Sequence, residues 1–167
     1  MKKLSICILL SLCLANTNLF SQTKKSHEFF ISPSIGINEA KGKTEYYTCG
    51  MTLGYYLSSE YRIDINYNYA DARKRIPDYK NISSEAVFFT FPSEAINGKV
   101  ITDFSVGAGL QQANGFSGQK DKNRFIVPYK MVLGYYISDT IGIALSGRYN
   151  LNGISNGTAS LSLIIRL

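Results

Sequence analysis

Two stretches of the chain carry one pattern: LGYYLSSEYRIDINYNY at Leu53 to Tyr69 and LGYYISDTIGIALSGRY at Leu133 to Tyr149. In each, apolar residues fall at every second position, stop at a short polar turn (Ser58-Ser59-Glu60 or Ser138-Asp139-Thr140), and resume with the same period. Alternation by two is the signature of a strand with two unlike faces, and the interrupting turn makes each copy an antiparallel hairpin. In the second arm of the later copy, Ile141, Ile143, Leu145, Tyr149 and Leu151 share one face, while Gly142, Ala144, Ser146, Arg148 and Asn150 share the other. One face is bulky and apolar, the other small and polar.

The chain opens on a different pattern. Met1-Lys2-Lys3 is positively charged, Leu4 to Leu14 is apolar apart from Ser5 and Ser11, and Asn16, Thr17 and Asn18 follow. This is the layout of a secretory signal peptide, expected to span residues 1–21 with cleavage after Ser21. Its apolar core is shorter than the roughly 20 residues a spanning helix needs. Cys13 follows Leu12 rather than a small residue, so lipidation is not expected. Cleavage removes Cys7 and Cys13 and leaves Cys49 as the single cysteine, so an intramolecular disulfide is excluded and stability must come from the fold. It also removes Lys2 and Lys3, which takes the formal net charge from +6 to +4. That scattered excess does not suit a nucleic-acid partner.

The mature chain, residues 22–167, is expected to be a single all-β domain with eight strands. They run His27 to Ile37, Tyr46 to Leu57, Tyr61 to Ala70, Ser84 to Ser93, Lys99 to Gln111, Arg124 to Ile137, Thr140 to Leu151 and Thr158 to Leu167. Long connections (Asn38 to Glu45, Asp71 to Ser83, Gln112 to Asn123, Asn152 to Gly157) alternate with short ones (Ser58 to Glu60, Glu94 to Gly98, Ser138 to Asp139). This alternation, the even count and the strand lengths predict an eight-stranded antiparallel up-and-down transmembrane β-barrel, with both termini on the short-turn, periplasmic side. The fourth strand is irregular, and Pro92 predicts a bulge or an early end there.

A membrane barrel and a soluble ligand-binding barrel of the lipocalin kind share a period of two but reverse the faces. The polar faces, Arg62, Asp64, Asn66 and Asn68 on the third strand and Asp103, Ser105, Gly107, Gly109 and Gln111 on the fifth, interdigitate well in a narrow lumen and would solvate an exterior poorly. Bulky Tyr61, Ile63, Ile65, Tyr67 and Tyr69, with Met131, Leu133, Tyr135 and Ile137, are expected outside. Tyrosines near the strand ends are read as two interfacial girdles: Tyr55, Tyr56, Tyr135 and Tyr136 beside the short turns, and Tyr46, Tyr47, Tyr67, Tyr69 and Tyr149 toward the loops.

Two sets of residues are candidates for function. Arg62, Asp64, Asp103, Lys130, Arg148 and Arg166 fall on polar-face positions, where buried charges must be paired; they predict a salt-bridge network that fills the lumen rather than a pore, because eight strands leave an interior just filled by side chains. Arg73, Lys74, Arg75, Lys80, Lys120 and Lys122 make the two longest loops basic, suited to lipopolysaccharide phosphates or an acidic partner, although a solvated loop explains them as well. His27, the single histidine, starts the first strand at the turn end, away from an outer-leaflet lipid, and lacks a Ser and acid cluster. No catalytic, metal-binding or cofactor-binding set is expected.

The hairpin repeat, the length and the leader resemble the small bacterial outer-membrane barrels of the OmpA transmembrane-domain and OmpX type. The leader's LFSQ ending is similar to those of exported proteins of Bacteroidetes. One departure is the last residue, Leu167, where such barrels commonly end on an aromatic. A narrower resemblance, carried by Tyr67 to Pro77, by SVGAGL at Ser105 to Leu110 and by the terminal hairpin with Tyr136, Ser138 and Asp139, is to the conjugal transfer proteins of the TraO type. The broader resemblance implies a monomeric outer-membrane protein in contact with membrane lipid and lipopolysaccharide. The narrower one implies a partner in an envelope conjugation apparatus. A lipid A-modifying enzyme and a soluble ligand-binding barrel are the competing readings.

Overall fold

A computed structural model describes residues 27–40, 44–71, 79–96, 98–115, 118 and 120–167, so the expected signal peptide lies outside the described residues. Strands β1 (Phe29–Ala40), β2 (Thr44–Tyr56), β3 (Arg62–Asp71), β4 (Tyr79–Phe91), β5 (Glu94–Ala95), β6 (Val100–Gly115), β7 (Lys122–Tyr136), β8 (Ile141–Leu151) and β9 (Gly157–Arg166) form one antiparallel sheet. The two residues of β5 continue the ladder of β4 on β6, and β1 pairs with β9, so the sheet closes as an eight-stranded barrel. Paired residues followed once around the wall lead from Phe29 through Tyr55, Ile63, Phe89, Val106, Tyr129, Tyr149 and Gly157 to Glu39, ten residues further along β1. A shear of ten on eight strands tilts them about 40° from the barrel axis.

The two sequence repeats turn in the same way. Leu57 and Ser58 N–H donate to Tyr61 O at 3.0 and 3.2 Å, and their counterparts Ile137 and Ser138 donate to Ile141 O at 2.8 and 3.1 Å. At the opposite end the strands run further than expected. β4 begins at Tyr79 instead of Ser84 and β6 ends at Gly115 instead of Gln111, which leaves only residues 41–43, 72–78, 116–121 and 152–156 between strands there. The expected contrast between long loops and tight turns therefore shrinks. Its cause is visible in the pairing of Ser83 with Gln112 and Asn81 with Asn114: hydrogen bonding continues into polar sequence where hydrophobic periodicity gives no signal.

Of the two outcomes expected at Pro92, an early end or a bulge, the strand shows the first: β4 ends at Phe91, with no bulge. Phe91 pairs with Phe104 and Glu94 with Ile101, one register on both sides of the proline. Thr102 N–H donates to Ser93 O at 2.8 Å, so the preceding Pro92 sits at a non-bonded rung of the β6 ladder and costs it no donor. The register shift falls instead between Tyr79 and Asn81.

Burial alternates strictly along β3 and β8, and it is the apolar face that points outward. On β7 the exterior residues are Phe125, Val127, Tyr129, Met131, Leu133 and Tyr135. At the strand tilt they cover about 25 Å along the axis, the height of a hydrocarbon band. Glu85 interrupts this belt on β4, between Tyr67 and Leu110, one outward rung below polar Ser83. The expected girdles need correction at three positions: Tyr46, Tyr56 and Tyr136 are buried inside the barrel. Consecutive strand residues take opposite faces, and Tyr47, Tyr55 and Tyr135 hold the outer one.

Apolar side chains close both ends of a polar interior. Phe30, Tyr56, Ile101, Tyr136, Ala144 and Ile164 pack at the turn end; Tyr46, Ala70, Ile82, Ala113 and Ile154 pack at the loop end. Gly54, paired with Phe30, leaves room for that ring to lie against the wall, where a Cβ would collide with it. Gly54→Val is expected to cost about 1–3 kcal/mol through overpacking, read as a lower urea midpoint for unfolding from detergent or vesicles.

Candidate functional site

The lower lumen is organised by Arg62. It enters β3 directly after the turn, on an inward position, and reaches across the barrel. Its Nε and Nη2 donate to the two oxygens of Asp64 at 2.7 and 2.9 Å, Nη2 also donates to Asp103 Oδ2 at 2.7 Å, and Nη1 donates to Tyr56 OH at 3.0 Å. The Phe30 ring centroid lies 4.4 Å from its Cζ. Asp64 Oδ2 is also 2.9 Å from Thr90 Oγ1, which lies 2.9 Å from Ser105 Oγ. Arg62 and Asp103 are about 95% buried and Asp64 is fully buried, so the ion pairs act in a medium that screens them poorly and every lone pair needs a donor.

The middle of the lumen is built around Phe88 of β4. Lys130 Nζ and Arg148 Cζ lie 5.9 and 5.5 Å from its ring centroid. Arg148 donates to Asn150 Oδ1 at 2.8 Å and to Asn66 Oδ1 at 2.7 Å, both neutral amides. Arg166 stands apart from the Arg62 cluster: it pairs with Glu94 at 2.7 Å and stacks on Tyr136 at 3.4 Å, near the turn end. A void of about 20 Å³, bordered among others by Arg62, Asp103, Lys130 and Ser146, remains in the lumen; it is on the scale of one water.

The mouth is covered by the connection between β8 and β9. Gln111 Oε1 accepts from Ile154 N–H at 2.5 Å and Ser155 N–H at 3.1 Å; Ser155 Oγ donates to Glu39 O, and Asn150 Nδ2 to Ser155 O, each at 3.1 Å. These bonds hold Ile154 down in the apolar layer of the loop end. Of the basic loop set, Arg73, Lys74 and Arg75 lie outside the described residues, while Lys80, Lys120 and Lys122 are exposed at the loop end, joined by exposed Arg124. His27 sits at the opposite end, where its Nδ1 is 2.7 Å from Tyr55 OH.

Sequence reasoning missed Glu94, the aromatic partners Phe30, Tyr56 and Phe88, and the inward fold of Ile154. In the sequence Glu94 falls in the turn expected after Pro92, and nothing in a local pattern shows that a loop isoleucine points inward. Gln111 was placed on the inward face, but its role as an acceptor of two backbone donors depends on a loop remote in sequence.

No family model matches the chain, and no curated protein matches it. Solved structures do. Similar folds include Ail of Yersinia pestis (TM-score 0.63, 16% identity, 86% of this chain and 100% of that one) and Neisserial surface protein A (TM-score 0.60, 14% identity, 87% and 98%). The N-terminal barrel of Pseudomonas aeruginosa OprF is also similar (TM-score 0.57, 15% identity, 86% and 100%). At these identities the likeness establishes the fold, that of small outer-membrane barrels. Arg62→Ala strands two buried carboxylates and is expected to cost about 3–5 kcal/mol, whereas replacing Arg62, Asp64 and Asp103 together by apolar residues of similar size should cost much less; urea titration of both variants is the check.

Proposed function

We propose that the mature chain is an integral outer-membrane protein that neither conducts nor catalyses, and that serves as a rigid membrane platform for contacts made at its mouth. The observation carrying this reading is the reversal of a soluble protein's faces: Ile65, Met131, Leu133 and Leu145 are exposed on the outside, while Arg62, Asp64, Asp103 and Arg148 are buried inside. In water such an exterior would aggregate; in lipid it is the favourable one. Apolar layers at both ends, with an ion-paired knot between them, support a lumen without a continuous water path.

The non-enzymatic reading is supported by the position of His27, which is at the turn end and bonded to Tyr55, far from where an outer-leaflet lipid headgroup would reach. Among the described residues, no group of His, Cys, Asp and Glu side chains could hold a metal. Lys80, Lys120, Lys122 and Arg124 give the mouth a positive rim suited to the phosphates of lipopolysaccharide or to an acidic protein surface. The narrower sequence resemblance makes a conjugation apparatus one such protein partner. Deleting the gene should then lower mating frequency while leaving envelope integrity intact; unchanged mating removes that partner.

Fractionation is the direct test of the membrane reading. The protein is expected in the outer-membrane fraction, with a gel mobility that changes on boiling; recovery in the periplasm overturns the reading. Ile65→Arg, in the middle of the belt, should cost about 2–4 kcal/mol in folding into vesicles, whereas a soluble barrel would tolerate it. Reconstituted protein should give no channel currents in planar bilayers.

A further inference from the structure

One carboxylate oxygen of the lumen is not used by the Arg62 cluster. Arg62 takes both oxygens of Asp64 but only Oδ2 of Asp103, and Asp103 Oδ1 is buried without a hydrogen-bond partner. Asp103 is 5% exposed, so the desolvation of that oxygen has to be offset inside the barrel. A donor stands close by. Lys130 pairs with Ser105 in the β6–β7 ladder, and Asp103 is the adjacent inward residue on β6, which makes the two diagonal neighbours whose side chains start about 7–8 Å apart. Among the described residues no ion pair joins them directly.

Both border the void of about 20 Å³, together with Arg62, Ser32, Ser146 and Ser162. It lies against the turn-end apolar layer, all of whose buried residues also line it. The inward residues Lys130, Val132, Ser146 and Ser162 keep part of their surface accessible, and each is a wall of the void. Inside a closed barrel that surface belongs to an interior cavity.

The chemistry of the walls selects the occupant. A cation would meet Arg62 and Lys130; an anion would meet the open lone pairs of Asp103. A neutral particle that donates to Asp103 Oδ1 and accepts from the Lys130 ammonium suits both, and the volume admits one molecule of water size. The structure assigns an ordered water to this void, bridging Lys130 Nζ to Asp103 Oδ1, with a serine hydroxyl of the wall as its third partner. The bridge brings Lys130 into the Arg62 cluster, so that one connected set of bonds runs from Tyr56 and Asp64 through Arg62, Asp103 and the water to β7. Enclosed by the apolar layer on one side and the ion pairs on the other, the molecule is part of the fold rather than of a water path.

The test is a crystal structure of the mature protein at a resolution that shows ordered solvent. A peak is expected about 3 Å from both Asp103 Oδ1 and Lys130 Nζ, and crystals grown in bromide or rubidium salts should carry no anomalous signal there. A void without density, an anomalous peak, or a Lys130 ammonium bonded directly to Asp103 overturns the proposal. Ser162→Val gives a second measurement, in solution. Ser162 lies between Ser34 and Ala144 on the neighbouring strands, both small, and valine suits a strand, so its methyls fill the void without displacing a large side chain. Oxygen-17 relaxation dispersion of the variant in nanodiscs should lose the contribution of one long-lived water relative to the parent; an unchanged contribution sinks the assignment.

Discussion

Closure of the hydrogen-bond ladder between β1 and β9 is the constraint on which the rest of the molecule depends. In a bilayer no water is available to satisfy a strand edge, so a sheet can cross only as a closed barrel. Once Phe30 to Glu39 is paired with Gly157 to Arg166, the strand number and shear fix the tilt and the bore. The bore then limits which side chains fit inside. Eight strands with a shear of ten leave space that side chains fill, which is why the inward position opposite Phe30 is Gly54.

The interior follows from that limit. Polar positions on the inward face cannot be solvated by bulk water, and many are satisfied by each other: Asp64 by Arg62 and Thr90, Asn66 Oδ1 by Arg148, Gln111 by the β8–β9 connection; Asp103 Oδ1 and Arg148 Nη2 are buried without a hydrogen-bond partner. The bonds of Arg148 to Asn66 and of Gln111 to the β8–β9 connection join parts of the barrel distant in sequence. The apolar layers at the two ends shield the polar middle, and Ile154 completes the upper layer from a loop rather than a strand. Above that layer the basic residues Lys80, Lys120, Lys122 and Arg124 are exposed at the mouth.

The ion pairs contribute specificity more plainly than stability. Desolvating Arg62, Asp64 and Asp103 consumes much of what their attraction returns. Their geometry nevertheless admits a single register, since sliding any strand by one residue would send the charges into lipid and the bulky apolar residues into the lumen. Lys130 and Arg148 are the exception to this balance: among the described residues neither is in ion-pair contact with a carboxylate.

Read alone, the sequence determined the β period, the hairpin repeat, the strand count and the inward and outward faces, because each is a local consequence of alternating side chains. It placed Arg62, Asp64, Asp103, Lys130 and Arg148 on the inward face for the same reason. It could not show where strands end in polar sequence, since pairing there leaves no apolar alternation to read; β4 and β6 exceeded their expected bounds for that reason. The same period of two divides each tyrosine pair between wall and lumen: Tyr135 shares a face with Met131 and Leu133, so Tyr136 points inward, and a girdle cannot hold both neighbours. Only closure of the barrel decided which charges meet. Arg62 reaches Asp103 and Arg166 reaches Glu94 across dozens of residues of chain, and Arg148 is left with amides, because these contacts depend on the shear of the whole sheet and not on any segment of it.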